Sequence, residues 1–310
     1  MNPFLKSLLL FILPLLLLVT SGIFLPATPR EKKSLIFSSN FKDSLLQFTK
    51  KPRILIVGGS NASFGINSQL LKDSLHLNPI NTGITGGVGL KYMLENTLTF
   101  IQKGDYVLLS LDYNLYSLDY AYVSDELLRL IFDAGKHKTK FLSFVQFKNL
   151  IEFYIPKFSL SKFEYGEYVN IKDKETDVYG AKSYNKYGDA VAHWKVENPG
   201  FEPIEIKGNF NLHTFAKIKE FKKKAEMKGA TVLVTHPSID SVSYVNSKIK
   251  IEEINKRLKL NHFIVLGNVE EYILPICMIF DHPYHLNKSG SFCRTQLLIK
   301  DFNKYLFKKN

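Results

Sequence analysis

The sequence predicts an α/β protein: a three-layer, doubly wound, mostly parallel sheet with an aromatic-rich helical insertion, preceded by a transmembrane helix. Three observations predict it. Short apolar runs recur along the chain, Arg53–Val57 (RILIV), Tyr106–Leu111 (YVLLSL) and Ala230–Thr235 (ATVLVT), and helical patterns separate them. Strands apolar on both faces, alternating with helices, make a parallel sheet covered on both sides. Right-handed crossovers then leave the doubly wound arrangement, which places ligands at the carboxyl ends of the strands. Finally, 45% of the 310 residues are hydrophobic and 23% charged, enough for a sizeable core and unlike a disordered chain. With 18 Gly, 12 Pro and 2 Cys, collagen-like and disulfide-framework proteins are excluded.

The first element is the run from Ser7 to Pro26, which carries no charge. At about 1.5 Å rise per residue it reaches across a hydrocarbon layer of ~30 Å. Pro14 kinks such a helix, which membrane spans tolerate. Val19 and Ser21 are small enough for signal processing, but the run exceeds the ~7–15 apolar residues of a signal peptide, so residues 1–29 read as an uncleaved anchor. Lys6 precedes the span while Arg30, Lys32 and Lys33 follow it, and charge counting therefore leans towards a cytoplasmic body. Residues 30–51 are polar and mixed, which suits a stalk, and residues 52–310 form the main domain.

Within that domain the first strand ends in Gly58-Gly59 and leads to a helix from about Ile66 to His76. Asn78–Asn81 is a short strand before the glycine-rich Gly83–Gly89, and a helix runs from about Leu90 to Ile101. After the strand beginning at Tyr106 the alternation lapses between Leu115 and Phe210, a stretch holding nearly half the aromatic residues and the only tryptophan, Trp194. That insertion reads as a helical subdomain with its own small core, or as a lid or groove stacking rings against a sugar or lipid. The alternation resumes with a helix over Phe215 to Lys228, stopped by Gly229, the strand Ala230–Thr235, and a helix over Ser247–Leu260. His262–Leu266 and Ile273–Phe280 are the last strand candidates, followed by an amphipathic helix after Ser289.

The net charge of +12 suits an anionic neighbour such as membrane phosphate or acidic glycan. The lysines are scattered and no nucleic-acid-binding signature is present, so no nucleic acid is expected. Cys277 and Cys293 can pair in an oxidising compartment, but Cys277 in its apolar run reads better as a small buried hydrophobe.

Four short blocks follow successive strands. Gly58-Gly59-Ser60-Asn61-Ala62-Ser63 puts a serine on a tight turn at a helix N-terminus, where its N–H can hold an oxyanion or its hydroxyl can merely cap the helix. Asn81-Thr82-Gly83-Ile84-Thr85-Gly86-Gly87 lets the main chain approach a bound atom. Leu111-Asp112-Tyr113-Asn114 can offer the Asn114 amide to the same space. Phe280-Asp281-His282-Pro283-Tyr284-His285-Leu286-Asn287-Lys288-Ser289-Gly290 supplies a histidine beside a carboxylate, the pair needed to activate a hydroxyl. Asp281, His282 and His285 can also be metal ligands, but no second ligand cluster of matching spacing accompanies them, so no metal is expected. The first block lacks a P-loop lysine and the third glycine of a dinucleotide site, so no nucleotide or other cofactor is expected either.

In order and placement the four blocks resemble the SGNH (GDSL-like) hydrolase superfamily, from Arg53 to the C-terminus apart from the aromatic insertion. The resemblance implies a flavodoxin-like sheet, with Ser60 as nucleophile, His285 as general base, and Ser60, Gly86 and Asn114 as oxyanion donors. Gly59 stands where that family has aspartate, Asp112 where it has glycine, and Leu115 where aspartate is common. The supporting acid usually lies three residues before the histidine; His282 holds that position here, and Asp281 lies four before, a spacing that a one-residue bulge restores. The anchor and divergent blocks are similar to the membrane-tethered branch, such as D-alanyl-lipoteichoic-acid biosynthesis and alginate-acetylation proteins. This implies an extracytoplasmic esterase or O-acyltransferase acting on acyl esters of bacterial envelope carbohydrate, with a membrane-bound O-acyltransferase as possible partner. The altered blocks fit an alternative, an inactive module that binds glycan or that partner.

Overall fold

The computed structural model describes residues 2–169 and 177–309. Its centre is a five-stranded sheet of β1 (Arg53–Gly58), β2 (Asn78–Asn81), β3 (Tyr106–Ser110), β4 (Thr231–Thr235) and β6 (Ile264–Leu266), in the order β2-β1-β3-β4-β6. Every pairing in it is parallel, with Leu55 opposite Ile80 and Val107, and Leu108 opposite Leu233. A separate two-stranded ladder joins β5 (Ile239–Asp240) and β7 (Ile273–Leu274). The Ile273–Phe280 run thus contributes only two strand residues, because Pro275 has no N–H to continue a ladder and a 3₁₀ turn follows over Ile276–Met278.

Side chains alternate across the sheet. Leu55, Val57, Val107, Leu109, Val232 and Val234 enter one cluster, which takes in α2 (Ser38–Phe48), α5 (Leu90–Phe100), α9 (Leu212–Met227) and α10 (Ser241–Leu260). Ile54, Ile56, Leu108 and Leu233 enter a second, closed by α3 (Ser60–Gly65), α4 (Ser68–Leu75) and α11 (Lys288–Lys309). Both faces are therefore covered, the condition under which continuous apolar strands are stable.

Several expectations need correction or refinement. Residues 30–51 are no stalk: Ile36, Lys42 and Leu46 are buried, and Lys42 Nζ donates to Asn81 O (3.0 Å) and Gly188 O (2.6 Å). The helix expected from Ile66 to His76 is α4, started by the Asn67 side chain accepting from Leu70 N, with the short α3 before it. The insertion has no core of its own. Its α6 (Asp125–Arg129), α7 (Phe144–Phe153) and α8 (Ile155–Ser161) place Leu127, Leu128, Leu150 and Phe158 in the same cluster as Leu109 and Ile218. α10 also begins earlier than expected, at Ser241, since Asp240 caps it by accepting from Val242 N and Ser243 N.

One helix among the described residues, α1 (Pro3–Ser21), is long and apolar enough to span a membrane, and it runs through Pro14. Both cysteines are free; Cys277 is exposed on the 3₁₀ turn over Ile276–Met278 and is not the buried small hydrophobe its apolar run suggests, and Cys293 is half-buried.

Candidate active site

β1 is flanked by β2 on one side and β3 on the other, so the loops leaving their carboxyl ends open a crevice where the strand order reverses. A cavity of about 250 Å³ lies there, and its walls include Ser60, Gly86, Asp112, Asn114, His282 and Tyr284. All four sequence blocks thus line one cavity, the fourth through His282 and Tyr284 rather than through His285. Ser60 opens α3 and is half-buried, and among the described residues its hydroxyl has no hydrogen-bond partner. Gly86 begins a 3₁₀ turn, and Asn114 lies in another over Tyr113–Tyr116.

The fourth block is a hairpin. An antiparallel bridge joins Ile279 to Leu286, Phe280 N donates to His285 O (2.8 Å), and His285 N closes a turn on His282 O (2.8 Å). This fold-back sets Asp281 across from His285, and the His285 Nδ1–H donates to Asp281 Oδ1 at 2.8 Å. The four-residue spacing is thus satisfied by cross-strand proximity. Tyr179, from the insertion, donates its hydroxyl to Asp281 Oδ2. Burial pushes the Asp281 carboxyl up, but the hydrogen bonds from His285 and Tyr179 and the imidazole charge outweigh it, and the group lies below the usual carboxylate range.

His285 lies flat on Phe64, with ring centroids 4.3 Å apart and planes 16° apart. Phe64 follows Ser60 by four residues on α3, so the two project from one side of that helix a turn apart. His285 is not a wall of the Ser60 cavity; His282 is. Burial, then the neighbouring His285, lowers His282 to about 4, and its Nδ1 accepts from Tyr284 N (3.2 Å), so the neutral ring carries its proton on Nε2. In that state His282 is a donor, and of the two residues Asp281 is the one hydrogen-bonded to His285.

The structure adds residues that the block pattern did not single out. Asp112 lines the cavity with its carboxylate beside Gly59, and Asn61 Nδ2 donates to it (2.8 Å). Burial raises the Asp112 carboxyl, while the Asn61 hydrogen bond and the charges of His285 and Arg294 oppose that rise. Beneath them Arg294 is 1% exposed and donates to Asn61 O (2.7 Å), Ser110 Oγ (2.7 Å) and His236 O (3.2 Å). A sequence signal for it exists: Arg294 precedes Leu298 and Phe302 on the buried stripe of α11, where an unpartnered charge is costly. His193 has a weaker signal; its Nε2–H donates to Leu286 O (2.8 Å) and its ring packs against Phe64 and Phe280.

Beyond this hairpin a wider groove of about 820 Å³ is lined by Trp194, Met278, Asn287, Phe292 and Cys293 among others. Among the described residues no cluster of three or more His, Cys, Asp or Glu is placed to hold a metal ion. No known protein family, curated protein or solved structure matches the chain.

Proposed function

We propose that this chain is a membrane-tethered serine esterase or O-acyltransferase of the SGNH type, with its domain outside the cytoplasmic membrane and its substrate an acyl ester of envelope carbohydrate. The observation that carries the reading is the shared cavity of Ser60, Gly86 and Asn114 beside a hairpin that pairs His285 with Asp281. The strand order, equivalent to 2-1-3-4-5, is the one expected of a flavodoxin-like sheet and supports the same reading.

The chemistry follows from the proton positions. With Nδ1–H committed to Asp281, Nε2 of His285 holds the lone pair and can take the Ser60 proton as Oγ attacks the ester carbonyl. Asp281 stays ionised and stabilises the imidazolium that results. The backbone N–H groups of Ser60 and Gly86 and the Asn114 amide face the oxyanion, one such donor being typically worth about 3 kcal/mol. His285 then protonates the departing alkoxide, and water or a sugar hydroxyl releases the acyl group. Contacts between nucleophile and base commonly tighten only when substrate is bound, which accords with a Ser60 hydroxyl free of partners.

Hydrolysis of p-nitrophenyl acetate by the full-length protein in detergent tests the reading. Ser60→Ala should reduce turnover to background with an unchanged circular-dichroism spectrum; unaltered turnover in that variant refutes it. A second reading, an inactive module for glycan or a membrane acyltransferase, is favoured by the Asp112 carboxylate inside the cavity and by His285 lying outside its walls. It predicts no fluorophosphonate labelling of Ser60 and retention of polysaccharide or the acyltransferase on pull-down.

A further inference from the structure

We infer that α7 and α8 lie in the lipid–water boundary beside α1, seating the folded domain on the bilayer surface. The inference rests on α1 spanning the membrane and is independent of the ester chemistry.

The end of α1 is locked to α8. Gly22 N donates to Ser159 Oγ (2.7 Å), and the same hydroxyl reaches Leu18 O (3.4 Å) in the last turn of α1. A Cβ on Gly22 would overlap the Ser159 backbone, so the two segments touch main chain to main chain. There is no slack beyond that contact: Ala27, Thr28 and Glu31 are buried, and Glu31 pairs with Arg129 Nη1 at 2.6 Å. Wherever α1 leaves the hydrocarbon, α8 is beside it.

The outer side of these helices is unusually apolar. Phe144 (82% exposed), Phe147 and Ile151 form one stripe on α7 at helical spacing, while Gln146 and Leu150 face inward. Phe153 (64% exposed) at the end of α7, Leu160 on α8 and Phe163 just past it add to the exposed apolar side chains. Large apolar side chains exposed together on neighbouring helices mark an interaction surface, and their position at the exit of a spanning helix points to lipid as the occupant. The charges agree. Lys148 on α7 and Lys157 on α8, with Lys140 just before them, are exposed and have no carboxylate partner among the described residues, against two exposed acids, Glu152 on α7 and Glu164 just past α8. Lysines flanking an apolar helical face suit anionic headgroups above a buried aromatic layer.

The test uses the full-length protein in phosphatidylcholine–phosphatidylglycerol vesicles with brominated or ordinary acyl chains. Trp194 is the only tryptophan, so a Trp194→Phe background accepts one reporter indole at a time. Reporters are Leu13→Trp in α1, Phe147→Trp on α7 and, as control, Met227→Trp, which is 78% exposed at the end of α9. An apolar face about 5–10 Å into the boundary brings its indole among the acyl chains, so about a twofold loss of Phe147→Trp emission in brominated lipid is expected, with none at Met227→Trp. Quenching at Leu13→Trp without quenching at Phe147→Trp overturns the inference while keeping the anchor, and returns the patch to a protein partner. Absent quenching at Leu13→Trp overturns the anchor and the inference with it. Equal quenching at Met227→Trp also overturns it, since the effect would not be confined to this face.

Discussion

Gly59 and Asp112 compete for one volume, and exchanging their side chains should reveal the coupling. A Cβ on Gly59 would overlap Asp112 Oδ2 and come within 3.1 Å of Gly86 N. Gly59 is not left-handed at φ −88°, and the nearest obstacle to a side chain there is the neighbouring carboxylate. Asp112 is 6% exposed and accepts from Asn61 Nδ2 at 2.8 Å. In Gly59→Ala the methyl must displace that carboxylate. Weakening a buried charge-assisted hydrogen bond and crowding a packed site then cost about 3 kcal/mol together. Asp112→Gly removes the obstruction and leaves Asn61 Nδ2 its second acceptor, Ser110 O (2.8 Å), so its cost is smaller, about 1–2 kcal/mol.

If the two sites were independent, the double variant would lose the sum. The structure predicts that Gly59→Ala/Asp112→Gly loses only about 1 kcal/mol more than Asp112→Gly alone, the remainder being the Gly86 backbone 3.1 Å from the new methyl, which is a coupling of about 2 kcal/mol. Thermal unfolding followed by near-ultraviolet circular dichroism in detergent reads this, since one kcal/mol moves the midpoint of a domain this large by about 2–4 °C. A double variant whose loss equals the sum of the single losses within about 0.5 kcal/mol refutes the shared-volume argument. The stricter form is Gly59→Asp/Asp112→Gly, which returns the carboxylate to the first block. It should be more stable than Gly59→Asp alone.

Two further outcomes follow from buried groups. Burial lowers His193 to about 4 from 6.5, and its Nδ1 is buried without a partner, so the folded state rejects a proton that the unfolded chain accepts. Stability is therefore full above pH 6.5 and falls as pH drops towards 4, by about 3 kcal/mol from this residue. His193→Gln, which keeps a donor for Leu286 O, should flatten the pH dependence of urea unfolding by that amount, and an unchanged slope contradicts it. The depressed Asp281 carboxyl has the same sign but acts at lower pH, its contribution being lost as pH falls through its folded pKa. Arg294→Met strips donors from Asn61 O, Ser110 Oγ and His236 O together and should cost about 3–5 kcal/mol, read as a midpoint shift in the same urea titration; a loss under 1 kcal/mol would show the network to be slack.

The sheet was legible because its strands are buried on both faces. Arg53–Gly58, Tyr106–Ser110 and Thr231–Thr235 need continuous apolar side chains, and such runs are hard to read otherwise. Two-residue strands such as Ile273–Leu274 leave no such period, and their pairing depends on partners elsewhere in the chain. The segment over residues 30–51 read as a stalk because, beside Ile36 and Leu46, its buried groups include the polar Ser38, Ser39 and Lys42, and Lys42 is satisfied by carbonyls far along the chain, which local composition does not register. At the site, strand ends predicted the convergence of Ser60, Gly86 and Asn114. Asp112 was visible only as a misplaced charge, because its counterpart is a missing side chain at Gly59.

What brings the histidine hairpin to the serine turn is the last helix. α11 begins three residues after His285, and its inward positions 291, 294 and 295 follow a helical stripe. Ser291 Oγ donates to Phe64 O (3.0 Å), Arg294 Nη1 to Asn61 O (2.7 Å), and Thr295 Oγ1 accepts from Asn67 N (2.9 Å). Each contact grips the segment 61–67 that carries Ser60 into α3. With α11 fixed there, its first turn sets the hairpin, and Phe64 from the same segment receives the His285 ring. The stitching residues are buried, with Ser291 and Thr295 fully enclosed, so the two ends of the chain are held by hydrogen bonds shielded from water. A buried arginine in such a place costs desolvation that apolar packing would avoid. Its return is register: Arg294 binds atoms of β3, of the Ser60 turn and of the β4 exit loop at once, and those are the strand ends whose relative height defines the cavity.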